Sequence, residues 1–158
     1  MKKLLITFVL GLGCLFANAQ NTVKRYVLLE HFTNSPCSIC ASRNPAFYSL
    51  IQMHPQDVHH IAYHPAFPYN SCIFYQANTT ENSARTSFYG INGTPRVVLN
   101  GTLVNAGSQL LPAATLNAAI PNTSPVHLQV TETSGTDRTA TVQIFTHSTV
   151  PAGNYKLY

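Results

Sequence analysis

Two cysteines three residues apart, Cys37 and Cys40, constrain this 158-residue chain more than any other feature. They lie between two contrasting runs. Upstream, Tyr26-Val27-Leu28-Leu29-Glu30-His31-Phe32 reads as a buried strand. Downstream, Ile39, Phe47, Leu50 and Ile51 recur at roughly helical spacing. A cysteine pair on the first turn of a helix can close a small disulfide ring. Unpaired backbone N–H groups and the positive end of the helix dipole favour a thiolate there, and a thiol that ordinarily titrates near ~8.5 can fall to about 3.5–7.5. The same spacing also suits half of a zinc site or a plain structural staple. Zinc usually takes a second ligand pair at defined spacing, and the chain holds no second Cys-x-x-Cys.

The N-terminus bears on the redox compartment. Met1-Lys2-Lys3, the apolar run 4–16 and Ala17-Asn18-Ala19 have the three parts of a secretory signal peptide, which predicts cleavage after Ala19. The apolar run is too short for a comfortable membrane span. Cys14 follows a small residue as in a lipoprotein signal, but Gly11 stands where such a signal wants a branched apolar side chain. Without residues 1–19, Cys37, Cys40 and Cys72 remain, so closure of the Cys-x-x-Cys leaves one thiol over. Export to an oxidising compartment suits a disulfide. Removing Lys2 and Lys3 lowers the formal charge from +4 to about +2, with the remaining basic residues scattered, which argues against nucleic acid as a partner.

Along the chain, Val23–Phe32 reads as one strand, Cys37 to about Met53 as a helix containing Pro45, and Val58–Tyr63 as a second strand. His64 to Ser71, with Pro65, Phe67, Pro68 and Tyr69, reads as an irregular loop. Asn78-Thr79-Thr80-Glu81 resembles a capping box opening a helix that ends at Gly90, with Ala84 and Phe88 on one face. Arg96–Leu99 and Thr102–Val104 flank the tight turn Asn100-Gly101, and Leu111–Ile120 is a last short helix. This order, β-α-β-α-β-β-α, predicts an α/β fold with a mixed sheet flanked by helices. After Pro121 the pattern changes to the alternating runs Val126–Val130 and Thr141–Phe145. A third run, Tyr155-Lys156-Leu157-Tyr158, ends the sequence, and two strands and a fragment are marginal alone. The expected organisation is a signal peptide at 1–19, an α/β domain at 20–122, and at 123–158 the start of a β-rich, sandwich-like module, which is expected to continue in a longer protein rather than to pack on the first domain.

Beyond Cys37-Ser38-Ile39-Cys40, the run Gly90-Ile91-Asn92-Gly93-Thr94-Pro95-Arg96-Val97-Val98-Leu99-Asn100-Gly101 resembles the second signature of the thioredoxin superfamily. Pro45, five residues after Cys40, resembles its kink proline. The resemblance covers roughly Val23–Ile120. It implies a thioredoxin-like sheet, a cis bond at Pro95 and packing of that proline against the disulfide. More closely, Val27-Leu28-Leu29-Glu30-His31-Phe32-Thr33, Tyr63-His64 and the β-rich tail resemble the outer-membrane-protein-28-related envelope family. That resemblance implies a periplasmic or outer-membrane setting in a Gram-negative cell envelope. The dipeptide between the cysteines departs from the Gly-Pro of thioredoxins, and Pro36 stands where thioredoxins have tryptophan. The redox potential therefore does not carry over, and potentials of such folds span about −270 to −120 mV, roughly 7 kcal/mol for a two-electron couple.

On this resemblance Cys37 is the attacking thiolate, the more exposed of the pair, and Cys40 the resolving thiol. Thr94 and Pro95 form a substrate platform opposite the disulfide, where Thr94 backbone groups can pair with an extended segment. Glu30 stands one residue beyond the place of the buried acid of thioredoxins. A buried carboxylate there is suited to accept the proton of Cys40, and the plain alternative is an exposed strand carboxylate. Cys72 reads as a buried inert thiol, the sharper alternative being a pairing with the active site or with another molecule. His54, His59, His60 and His64 raise a copper-carrier alternative. His59 and His60 face opposite sides of a strand, which leaves His64 as the one to approach Cys37. The resulting expectation is an exported thiol–disulfide oxidoreductase. It needs no cofactor or resident metal, acts on protein thiols or disulfides with a separate redox partner, and associates at most peripherally with the outer membrane. The alternative is a structural or interaction protein of the envelope with a static disulfide.

Overall fold

The computed structural model describes residues 22–105 and 107–154. The predicted signal peptide and the run Tyr155–Tyr158 lie outside them. The described chain comprises β1 (Val23–Lys24), β2 (Val27–Phe32), α1 (Ser38–Gln52), β3 (Val58–Tyr63), α2 (Ile73–Ala77), α3 (Thr79–Phe88), β4 (Arg96–Leu99), β5 (Thr102–Leu103), α4 (Ala113–Ala119), β6 (Thr123–Ser124), β7 (Val126–Thr133) and β8 (Thr139–Thr146). It forms two compact units, which divide after Lys24 and after Asn122. Among the described residues no helix is long and apolar enough to cross a membrane.

The central unit, Arg25–Asn122, is a four-stranded mixed sheet in the order β3-β2-β4-β5. Strand β2 runs parallel to β3, with Leu29 opposite His60, and antiparallel to β4, with His31 opposite Val97. Alternation along β2 divides its side chains between the two faces. Val27 and Leu29 join Phe47 of α1, Val97, and Leu116 and Ala119 of α4 in one core. Phe32, Val98 and Ile91 form a second core with Tyr63, Phe67 and Tyr89. Helices therefore cover both faces, as the alternation of strand and helix patterns predicts.

Local chemistry closes the elements. Asn100 and Gly101 both take positive φ, at 47° and 83°, as a two-residue hairpin turn of type I′ requires and as few other residue pairs tolerate. Asn100 also extends the sheet, its Oδ1 accepting from Leu28 N–H and its own N–H donating to Leu28 O, both at 2.9 Å. Asn78 caps α3 through Glu81 N–H, and Gly90, at φ 61°, ends it.

Several expectations need correction. The single strand Val23–Phe32 breaks at Arg25-Tyr26, since β1 pairs with β6 while Arg25 N–H bonds to Asn122 O. Residues 73–77 form α2 where no helix was expected. The buried face of α3 carries Asn82 and Thr86 rather than Ala84 and Phe88. Asn82 earns that place with hydrogen bonds, donating to Phe74 O and Asn78 O and accepting from His64 N–H.

The other unit is described by residues 22–24 and 123–154. It holds the β1–β6 pair and a hairpin, β7–β8, in register from Val126 opposite Thr146 to Thr133 opposite Thr139. One hairpin face places Leu128 opposite Ile144 and Val130 opposite Val142, and Leu128, Val130 and Ile144 are exposed.

Candidate functional site

The site begins at the end of β2, where Thr33 N–H still bonds to Tyr63 O and the chain then turns through Asn34-Ser35-Pro36 into α1. Cys37 is the N-cap of α1, in extended conformation, and its Sγ accepts from Cys40 N–H at 3.1 Å. That bond fills one of the donors a helix start leaves free. Cys37 and Cys40 are disulfide-bonded, with Cα atoms 5.2 Å apart. The sequence led us to expect Cys37 to be the more exposed member. Both are almost fully buried, Cys37 at 4% and Cys40 at 2%.

Opposite the disulfide lies the segment leading into β4. The Thr94–Pro95 peptide bond is cis, as the resemblance implied. Thr94 Oγ1 donates to Cys37 Sγ at 3.7 Å, and Thr94 O lies 4.0 Å from the same sulfur. A disulfide at the start of α1, facing Thr94 just before the antiparallel neighbour of β2, in a sheet of order β3-β2-β4-β5 with helices on both faces, decides the fold class. The fold is thioredoxin-like.

No protein-family model matches the chain, and no curated relative matches it. The closer resemblance to the outer-membrane-protein-28-related family finds no support there. Among solved structures the chain is similar to a tryparedoxin II complexed with glutathionylspermidine, at TM-score 0.39 and 12% identity over 69% of this chain and 92% of that one. It is likewise similar to tryparedoxin II from C. fasciculata, at TM-score 0.38 and 14% identity over 69% and 88%. The fold class stands on the strand order and site geometry of this chain, not on those overlaps.

Glu30 does not point where the sequence suggested. It is buried, but on the α3 face of the sheet, where Oε1 accepts from Arg85 Nε at 2.5 Å and Oε2 from Tyr89 Oη at 2.6 Å. Burial, followed by this carboxylate, pushes the Tyr89 hydroxyl up to about 12. Both carboxylate oxygens are thus engaged away from Cys40.

The buried titratable group on the α1 face is the next residue, His31. Its ring lies 4.7 Å from Phe47, 5.8 Å from Tyr48 and 5.7 Å from His60, centroid to centroid. Neither ring nitrogen finds a hydrogen-bond partner of good geometry. Burial and the adjacent His60 bring its pKa down to about 4, which the Asn44 side chain offsets only in part. His31 is therefore a neutral imidazole at neutral pH. Strand alternation was the signal that could have found it, since odd-numbered residues of β2 face α1.

Beside the disulfide, the loop 64–72 is tied to the turn before Cys37. Asn34, itself buried, donates through Nδ2 to Pro65 O at 3.0 Å and to Tyr69 O at 2.9 Å. Cys72 Sγ accepts from Ser35 Oγ at 3.2 Å and Ser35 N–H at 3.4 Å. Burial pushes the Cys72 thiol up. The Ser35 hydroxyl and N–H, with the backbone of Tyr75 and Phe74, outweigh that and bring it below its usual range. Cys72 is the free cysteine among the described residues and is fully buried.

His64 was expected to approach Cys37. Its Nδ1 instead lies 3.7 Å from Cys72 Sγ, and its ring packs on Phe74 at 4.7 Å. The two histidines of β3 divide between its faces, His59 against Tyr26 and His60 against His31 and Phe47. Among the described residues no group of three or more His, Cys, Asp or Glu is placed to hold a metal ion.

Where these pieces meet, a groove of about 290 Å³ opens over Cys37, lined by the triplets 37–39, 67–69 and 92–94. Cys37, and not Cys40, is among the residues that line it.

Proposed function

We propose that this chain is an exported thiol–disulfide oxidoreductase that exchanges disulfides with protein substrates of the cell envelope through Cys37 and Cys40. The observation that carries this reading is the position of Cys37. Its sulfur caps a fifteen-residue helix, takes the Cys40 N–H, faces Thr94 Oγ1 and borders a groove. Donors of this kind favour a thiolate, which is both nucleophile and leaving group in exchange.

In the reducing direction, the Cys37 thiolate attacks one sulfur of a substrate disulfide. A mixed disulfide forms and the other substrate sulfur leaves as a thiolate. Cys40, deprotonated, then attacks Cys37 Sγ and expels the second substrate thiolate. The substrate gains two electrons and Cys37–Cys40 closes. The oxidising direction is the reverse. Thr94 and Pro95 would support the substrate chain beside Cys37. Export rests on the N-terminal residues 1–19, and an outer-membrane-protein-28-related setting on the sequence resemblance.

The deciding measurement is the reduction potential of the pair in graded glutathione buffers, with alkylated thiols counted by mass. A midpoint between about −270 and −120 mV supports exchange. A bond still closed below about −300 mV marks a staple, the alternative that the near-complete burial of both sulfurs favours. Cys40→Ser should in addition trap mixed disulfides from envelope extracts.

A further inference from the structure

A second concavity lies further along α1, facing the segment that leads into α4. It encloses about 230 Å³ and shares no lining residue with the groove over Cys37. Its floor is apolar. Phe47, Leu110 and Leu111 are buried there, and Leu50 packs against the same core. Arg43 stands one turn before Phe47 and is the one charged residue among the ten that line the pocket. Its guanidinium is held in place without being neutralised. Arg43 Nη2 donates to Gly107 O at 2.6 Å, a contact made across 64 residues of sequence. Among the described residues no carboxylate pairs with it. A guanidinium carries five N–H donors, so one bond to a carbonyl leaves others free for a planar, bidentate acceptor.

We propose that this pocket binds a small amphipathic monocarboxylate, its carboxylate on Arg43 and its alkyl or aryl tail over Phe47, Leu50 and Leu110. This goes beyond thiol–disulfide exchange and does not depend on it. Charge sets the head group. One unpaired cation matches a single negative charge. A phosphate dianion or a dicarboxylate would keep a further charge beside apolar side chains, where nothing offsets its desolvation. A cationic head group would meet Arg43 itself. Volume sets the tail. Pockets for drug-sized ligands run to about 300–1,000 Å³, so about 230 Å³ suits a tail of roughly six to eight carbons rather than a long-chain lipid. The tie to Gly107 O orders the guanidinium before any ligand arrives, which lowers the entropy lost on binding.

The test titrates the full chain, with Cys37–Cys40 closed, with octanoate and follows backbone amide chemical shifts. Octanoate should bind with a Kd on the order of 0.1–1 mM, and the shifts should centre on residues 42–50 and 108–113. From butanoate to octanoate, Kd should fall about threefold to fourfold for each added methylene. Octylammonium and 1-octanol, which carry the same tail, should bind about tenfold more weakly or worse, and so should inorganic phosphate. Arg43→Gln should weaken octanoate binding by about tenfold. Ala46 is an exposed lining residue, so Ala46→Phe should fill the pocket and abolish binding, with thermal unfolding to show that the variant is folded. Equal affinity for octylammonium, 1-octanol or phosphate overturns the proposal. So does an unchanged Kd in Arg43→Gln, a set of shifts centred outside the pocket, or the lack of saturation by about 10 mM octanoate.

Discussion

Arg85 Nε donates to Glu30 Oε1 at 2.5 Å across fifty-five residues of sequence, joining α3 to the centre of the sheet. Glu30 is 1% exposed, so the pair neutralises a carboxylate that water does not reach. Replacing Arg85 with Ala leaves that charge with Tyr89 Oη alone. We expect a loss of about 2–4 kcal/mol, read from denaturant midpoints. With its oxygens accepting from Arg85 and Tyr89, Glu30 is not expected to serve Cys40. Glu30→Gln should lower stability yet leave the pH dependence of thiol exchange where it was. A displaced pH profile would return Glu30 to the redox chemistry.

His31 makes the fold sensitive to acid. Its pKa is about 4 in the folded protein and about 6.5 when unfolded. Between those values the unfolded chain binds the extra proton, so stability falls as pH falls from about 6.5 to about 4. The loss from this group is on the order of 3 kcal/mol. His60 and His64, whose pKa values burial also lowers, act with the same sign. In His31→Leu the fall should be shallower, as measured by thermal unfolding across that window. An unchanged slope would mean that His31 is already protonated in the folded protein.

Thr94 Oγ1 is the side-chain donor facing Cys37 Sγ. Thr94→Val keeps the shape and removes the hydroxyl, so in the reduced protein a smaller share of Cys37 should be thiolate at neutral pH. Alkylation of Cys37 should slow by about threefold to tenfold, and the slowing should vanish at high pH, where the thiolate forms regardless. A slowing that persists at high pH would point to a packing effect.

Cys72 separates ionisation from reactivity. Its donors favour the thiolate, yet the residue is fully buried. In the native protein iodoacetamide should leave Cys72 unmodified and, after reduction, modify Cys37. Peptide mapping should find Cys72 labelled only in denaturant. Ser35→Ala removes the closest donor to Cys72 Sγ and one tie between the loop and the turn, so it should speed native labelling of Cys72. Rapid labelling of Cys72 in the unmodified protein would show that the loop 64–72 opens readily.

What the sequence determined by itself is local. A Cys-x-x-Cys at a helix start, an Asn-Gly turn between two short apolar runs, and a capping Asn78 with Gly90 closing the same helix each act through the backbone of neighbouring residues. Their consequences are therefore readable from spacing alone. The order of strands and helices follows from the same local periods, and with the Thr94-Pro95 signature it points to the fold class. Residue 31 against residue 30 shows where that legibility stops. Both are polar residues in one apolar run, and only the packing of α1 and α3 onto opposite faces of β2 decides which of them lies on the side of Cys40. The wall of the groove has the same origin. Asn34 reaches Pro65 and Tyr69, and Ser35 reaches Cys72, across more than thirty residues. Burial and hydrogen-bond partners are properties of segments brought together in space, so the partners of Glu30, His31, His64 and Cys72 emerged only once the chain was folded.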